Sequence, residues 1–477
     1  MRLLGRWKFR RGAVAALGAL AVSVAGYTAP AGATPATRTP DQTGSVSPTP
    51  AAGTPQLVQR TSTEQRIRQL VQCGGTMYAV GIFGEVAQDG NTYTRNNVFS
   101  FSATAPFTMT SWAPDVSGRV NSIAFNGSDC SDAYIGGKFT SVSGTPVKNI
   151  AEVDTTTGAV DPAFGTSASG AVDTLLGVAG HLLVGGQFTW INGSHGDPYM
   201  ASVSPVTGKN DRFLQLGISG YYHYCNYSDQ CTNDVHSAIN NQQLSHGGTL
   251  DLVEGDFTSV SGLPRQQIFM LNLATDPATV TGWTSPEWDG SDGNLPQGYP
   301  YQCTISEAYY IRSAAWSPDD STVYIATTGY NPWNVSAGSY PRIGLCDAAA
   351  AFPATQTSVT HLWVEYTGCD SYYSVAADDG TVYVAGHPRY AENPDGCDGA
   401  GPGAIRDHGL QGLDPSSGSL ELNSAGKPMY RMARANADDM LITSAGLWIA
   451  SSNRYGAQAC GHSNGHSGIC FLRYHTS

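Results

Sequence analysis

A short phrase, Tyr78-Ala-Val-Gly-Ile-Phe83, returns along the chain and constrains everything else about it. It recurs as Tyr134-Ile-Gly-Gly-Lys-Phe139, Leu183-Val-Gly-Gly-Gln-Phe188 and Leu252-Val-Glu-Gly-Asp-Phe257. Looser copies follow at Tyr324–Gly329, Tyr383–Pro388 and Trp448–Asn453, making seven. Measured at the sixth position, neighbouring copies stand between 49 residues (139 to 188) and 72 residues (257 to 329) apart. A β-rich unit repeating at this pitch points to a propeller or another array. The second copy shows the unit best. Arg119–Phe125, Ala133–Phe139, Asn149–Asp154 and Ala159–Phe164 alternate apolar and polar residues and are separated by Asn/Asp/Gly turns. The predicted fold is therefore all-β, a seven-bladed propeller of four-stranded blades with almost no helix. Gly in the phrase permits close approach of a neighbour, and the Phe two residues later fills space between blades. The last repeat ends after three strands. A spare strand at Pro55–Arg60, ahead of the first repeat, is expected to complete it and close the ring.

Residues 1–33 read as a secretory signal peptide: Arg2, Arg6, Lys8, Arg10 and Arg11, then the apolar stretch Gly12–Gly26, then Ala31-Gly-Ala33. Its apolar stretch is too short to span a membrane, and no later run is long enough. Residues 34–54 are rich in Thr, Pro, Ala, Gly and Ser and read as a disordered leader; residues 55–477 form one domain. Removal of the signal takes the net charge from −13 to −18, which argues against nucleic acid as partner. All ten Cys lie after the signal, as expected of disulfides outside the cell. Neighbours in the repeat map pair as Cys73–Cys130, Cys225–Cys231, Cys303–Cys346, Cys369–Cys397 and Cys460–Cys470.

Gly136-Gly-Lys-Phe-Thr-Ser-Val-Ser-Gly144, backed by Asp154-Thr-Thr-Thr-Gly158, resembles the delta-sixty-repeat β-propellers common in secreted actinobacterial proteins; Gly255–Gly262 matches again. The resemblance covers roughly residues 60–275 and fades where Gly-Gly becomes Thr-Thr or Ser-Ser. It implies a fold and no reaction, and these proteins often carry only an unknown-function label.

In a propeller, the second-to-third strand and blade-to-blade connections share one face, and the long insertions fall in those two classes. They carry Tyr222, Trp288, Tyr301 and Trp333, aromatic faces suited to sugars or to protein contacts. Ordering such loops is costly unless they act. First strands line the central channel. Their third positions read Arg68, Asn121, Asp173, His236, Arg312, Tyr373 and Asp438, a polar ring near the channel mouth. The alternative is that these residues face water and pair with each other. Glu287, Asp289, Glu307 and Asp370 supply carboxylates of the kind a glycoside hydrolase uses. His236, Arg312 and Tyr373, with Asp173, supply the base and cation that a polysaccharide lyase needs. No cofactor is expected. Asp289–Asn294 and Asn393–Asp398 have oxygen ligands that calcium takes, but plain Asp/Gly turns explain them as well. The expected protein is a secreted monomer, free or at the cell wall, that binds a glycan or an extracellular protein on its loop-rich face. A carbohydrate-active enzyme using that face is the alternative, and a scaffold without a small-molecule site is the third reading.

Overall fold

The computed structural model describes residues 45–58, 65–178, 180–221, 237–289, 311–329, 345–355, 357–432, 437–453 and 466–475. Its regular structure is β apart from a single helical turn, Pro286–Asp289. Among the described residues, no helix is long and apolar enough to cross a membrane.

Among the described residues, seven of the antiparallel sheets begin with a hairpin of two longer strands, and these follow one another along the chain. The hairpins are Arg66–Cys73 with Thr76–Ile82, Arg119–Asn126 with Asp129–Lys138, and Val172–Val178 with His181–Gly186. They continue as Ala238–Leu244 with Leu250–Asp256, Ile311–Trp316 with Thr322–Thr327, Tyr372–Ala377 with Val382–Gly386, and Ala437–Thr443 with Gly446–Ser451. A third strand pairs with each second one, for example Ile150–Asp154 in the second sheet and Ile469–Arg473 in the seventh. Among the described residues, the predicted fourth strand is regular only in the fourth sheet (Thr279–Val280) and the fifth (Trp363–Tyr366). Elsewhere it shrinks to single bridges such as Val153↔Val160 and Leu413↔Leu420. In the second sheet this bridge is flanked by two bonds, Asp154 N to Ala159 O and Asp161 N to Glu152 O, and goes no further. The turn before it is tied by Asp154, whose Oδ1 accepts from the Thr156 amide at 3.0 Å and the Thr157 hydroxyl at 2.7 Å. Asp414 does the same for Ser416 and Ser417 in the sixth sheet.

Apolar cores lie between consecutive sheets. Val80, Trp112, Ile123 and Ile135 fill the space between the first and second, and Tyr134, Phe164, Val172 and Leu182 that between the second and third. Trp448 and Phe471 of the seventh sheet pack with Ile67, Phe99 and Phe101 of the first. Each first strand also touches the first strand of the next sheet, and that of the seventh touches that of the first.

The N-terminal segment meets the last sheet, but not as expected. Gln56–Leu57 pairs with Glu85–Gln88, a hairpin strand of the first repeat. Residues 46–51 instead run beside Ile469–Arg473: Ser47 N donates to Arg473 O at 2.7 Å and Ala51 N to Phe471 O at 2.8 Å. Composition places this Ser-Pro-Thr-Pro-Ala stretch in the leader. Its prolines, 48 and 50, make no donor contact with the strand, so the two amides at 47 and 51 suffice, as on an edge strand. Val46 is fully buried, donates its amide to the Tyr383 hydroxyl and accepts from that of Tyr430.

Two disulfides are complete among the described residues, Cys73–Cys130 between the first two sheets and Cys369–Cys397 at the rim of the sixth. Cys346 and Cys470 are also disulfide-bonded. Their expected partners, Cys303 and Cys460, lie outside the described residues, as does the Cys225–Cys231 pair.

Candidate functional site

Every first strand carries a β-bulge at the same place. The ladder skips Arg68, Asn121, Asp173, Asn240, Arg312, Tyr373 and Asp438. A bulge adds one residue on one strand and re-aims its side chain, and bulges gather at barrel rims and beside active sites. Six of the seven ring positions expected from sequence are these bulged residues. The fourth bulge falls at Asn240; His236 lies outside the described residues.

The residue opposite each bulge explains the glycines. In five sheets it is Gly81, Gly137, Gly186, Gly255 or Gly386, and a Cβ on any of them would sit 2.0–2.2 Å from a first-strand carbonyl oxygen. The Gly before it makes room for the next sheet: a Cβ on Gly136 would come within 2.5 Å of the Val172 side chain.

The bulged side chains converge. Arg312 of the fifth sheet lies within the electrostatic reach of Asp438 in the seventh and of Arg66 and Arg68 in the first. Arg68 likewise senses Asp173 of the third sheet and Arg119 of the second. These groups come from sheets that do not adjoin along the chain.

The contacts divide the ring in two. On one side, Asp173 accepts from Asn121 Nδ2 at 2.7 Å and Gln187 Nε2 at 2.8 Å, so both carboxylate oxygens are held by neutral amides. Burial raises its pKa. Arg66 pairs with Asp438 at 2.9 Å. Below it, the carboxylate of Asp439 accepts the Leu70 amide at 2.9 Å, and burial pushes its pKa up to about 6. Burial and the nearby Arg66 and Arg119 lower the pKa of Arg68. The Nε atoms of Arg68 and Arg119 are buried with no hydrogen-bond partner among the described residues, and neither is Nδ2 of Asn240 matched.

On the other side, the Arg312 guanidinium stands 5.4 Å above the Tyr373 ring. Burial brings the Arg312 pKa down to about 10 and raises that of Tyr373. The Tyr373 hydroxyl is 3.0 Å from His387 Nε2, and His387 Nδ1 is 3.6 Å from Asp370 Oδ1. Arg389 grips Asp370 with Nε at 2.8 Å and Nη2 at 2.9 Å and also reaches Asp398. Burial opposes ionisation of Asp370, but its bonds from His387 and Arg389 prevail and its pKa is lowered. The Cys369–Cys397 disulfide fastens this group to its loop.

Other candidates stand apart. Glu287, on the single helical turn, accepts the His361 amide at 3.1 Å and pairs with His361 Nδ1 at 2.8 Å, just ahead of the outer strand of the fifth sheet. None of these partners belongs to a first strand. Tyr222, Tyr301, Glu307 and Trp333 lie outside the described residues, as do the side chains of Trp288 and Asp289. Oxygens of the Asn393–Asp398 turn are occupied by protein donors: Asn393 Oδ1 accepts Gly401 N and Asp398 accepts Arg389. A separate cleft of about 580 Å³ opens between Pro48, the Arg406–His408 segment and the Asn423–Arg431 hairpin.

Sequence reasoning left out Arg66, Arg119, Gln187 and His387 as site residues. A positional signal exists for two of them: Gln187 and His387 each follow the glycine that faces a bulge.

No family model matches the chain, and no curated protein matches it. Among solved structures it is similar to that of U3-55K, with a TM-score of 0.46 and 9% identity over 89% of this chain and 100% of that one. The RRP9 WD40 repeats give 0.44 and 9%, over 89% and 99%. The extracellular domain of a one-component system from B. thetaiotaomicron gives 0.43 and 10%, over 90% of this chain and 40% of that one.

Proposed function

We propose that this chain is a secreted, closed, seven-bladed β-propeller that acts as an extracellular binding module, taking a glycan in the axial mouth of its loop-rich face. Seven sheets with an apolar core between each successive pair, the last pair being seventh and first, support closure. Two complete disulfides support export. One observation supports the binding reading: the seven first strands carry a bulged polar residue at the same level, and those of the first, second, third, fifth and seventh sheets lie within reach of one another, offering several hydrogen-bonding groups. Flat apolar contact would not need them.

A carbohydrate-active enzyme is the second reading, favoured by the Tyr373–His387–Asp370 chain beside Arg312. A phenol bonded to an imidazole that is oriented by a carboxylate is a proton-transfer pair, and a guanidinium beside it can neutralise an acid group.

The test is a glycan array run with product analysis on residues 34–477. Binding without turnover is expected. New reducing ends, or unsaturated sugars, would establish the enzyme instead. Silence in both measurements would leave a protein partner or a scaffold and would sink the glycan reading.

A further inference from the structure

We propose that the ligand of the axial mouth is an acidic sugar, one bearing a carboxylate or a sulfate ester, held by Arg68 and Arg119. This rests on the binding reading above and goes on to name the ligand class.

The charge balance carries the argument. The whole chain has 25 basic side chains against 38 acidic ones. At the mouth the proportion reverses: Arg66, Arg68, Arg119 and Arg312 face Asp173 and Asp438. Asp438 bonds Arg66 at 2.9 Å and acts on Arg68 and Arg312 as well, and Asp173, hydrogen-bonded by Asn121 and Gln187, acts on Arg68 and Arg119, but two carboxylates against four guanidinium groups leave a net positive charge. Arg68 and Arg119 are left without a hydrogen bond to Nε among the described residues. Buried polar groups are nearly always paired; Arg95 Nε is also unmatched, away from the mouth, and what distinguishes Arg68 and Arg119 is that each lies within the electrostatic reach of the other. The planar fork of a guanidinium matches the two oxygens of a carboxylate or the edge of a sulfate.

The cleft by the Asn423–Arg431 hairpin gives an internal control. It is also basic, lined by Arg406, His408, Lys427 and Arg431 around a buried Asp407. An anion that merely seeks positive charge would choose either place.

Titration calorimetry on residues 34–477 tests this with trigalacturonate, its fully methyl-esterified form, and a sulfated galactose trisaccharide beside its unsulfated parent. The proposal expects one acidic member of these pairs to bind at least about 10-fold more tightly than its neutral partner. Arg68→Gln or Arg119→Gln should each weaken it by about 10- to 100-fold, the usual size of a charge-assisted bond. Arg68→Lys, which keeps the charge and loses the fork, should recover only part of this. Arg431→Ala should change nothing, and melting curves should show every variant folded. Equal binding of acidic and neutral forms, lost in Asn121→Ala, would overturn the acidic class and leave the glycan reading standing. Loss in Arg431→Ala with no loss in Arg68→Gln would place the anion in the cleft and overturn the assignment. Binding of none of the four would remove both.

Discussion

The first three sheets and the last three share a bulged inner strand and differ in what faces the bulge and what crowns it. In the second and third sheets Gly137 and Gly186 stand opposite, the second-to-third connection of the second sheet is the small hairpin of Ser141–Val142 and Thr145–Pro146, and amides occupy the ring carboxylate. In the fifth and seventh, Thr327 and Ser451 stand opposite instead. The Thr327 hydroxyl accepts the Ala348 amide at 3.0 Å and donates to its carbonyl at 3.1 Å. The sixth sheet keeps Gly386 but carries the disulfide-bound rim with Asp370, His387 and Arg389. The bulge therefore does not depend on glycine. It survives where the glycine has gone.

Several substitutions press on this contrast. The largest effect belongs to Gly137→Thr, whose Cβ would sit 2.2 Å from the Arg119 carbonyl oxygen. A loss of about 3 kcal/mol is expected from overpacking, read from chemical denaturation. Thr327→Gly in the later half relieves no clash and should cost about 2 kcal/mol, from the added backbone freedom and the lost bonds to Ala348. Equal losses would break the distinction between the halves.

The two disulfides come next. Removing Cys73–Cys130, which closes 57 residues, should cost about 3 kcal/mol; removing Cys369–Cys397, which closes 28, should cost roughly 0.6 kcal/mol less if chain entropy alone decides. A greater loss at the rim would show that the later half depends on its loop for more than local order.

Buried acids in each half give a pH test. Burial pushes the pKa of Glu152 up to about 7 and that of Glu365 up to about 8, from an ordinary 4.5. Folding thus favours their protonated forms. That stability is present in full below pH 4.5 and is lost as pH rises through about 7 for Glu152 and about 8 for Glu365. Glu152→Gln should flatten the fall of Tm on the neutral side, and Glu365→Gln should flatten it later. Unchanged Tm profiles would mean that neither acid is protonated in the folded chain.

The smallest change in stability should come from Tyr373→Phe, about 1 kcal/mol for one hydrogen bond. Its value lies elsewhere. If the mouth turns over an acidic glycan, this variant loses product formation and keeps affinity. If the mouth only binds, affinity alone moves.

Much of this was legible in the sequence. Glycine spacing located the second strands, and the third positions of the first strands coincide with six of the seven bulged residues. The fourth was missed because its inner strand reads Ala-Ile-Asn-Asn-Gln-Gln-Leu, a polar run without strand alternation. The spacing still held the answer. Asn240 precedes Gly255 by 15 residues, as Arg312 precedes Thr327, whereas His236 precedes it by 19. Residues 46–51 were hidden for a related reason. Proline and serine look like disorder until an edge requires only alternate donors. The Tyr373–His387–Asp370 chain joins residues that only the bulge and the second-strand end bring together, and apolar periodicity carries no trace of such a meeting.

The strip at residues 46–51 has a further consequence. It lies along the outer edge of Ile469–Arg473 and satisfies the carbonyls of Phe471 and Arg473. A chain cut after residue 51 would leave those acceptors bare, together with the pocket vacated by Val46. The exposed strand would then become a template for the same strip of another molecule, and polymerisation would track the proteolysis of a few residues far from any ligand.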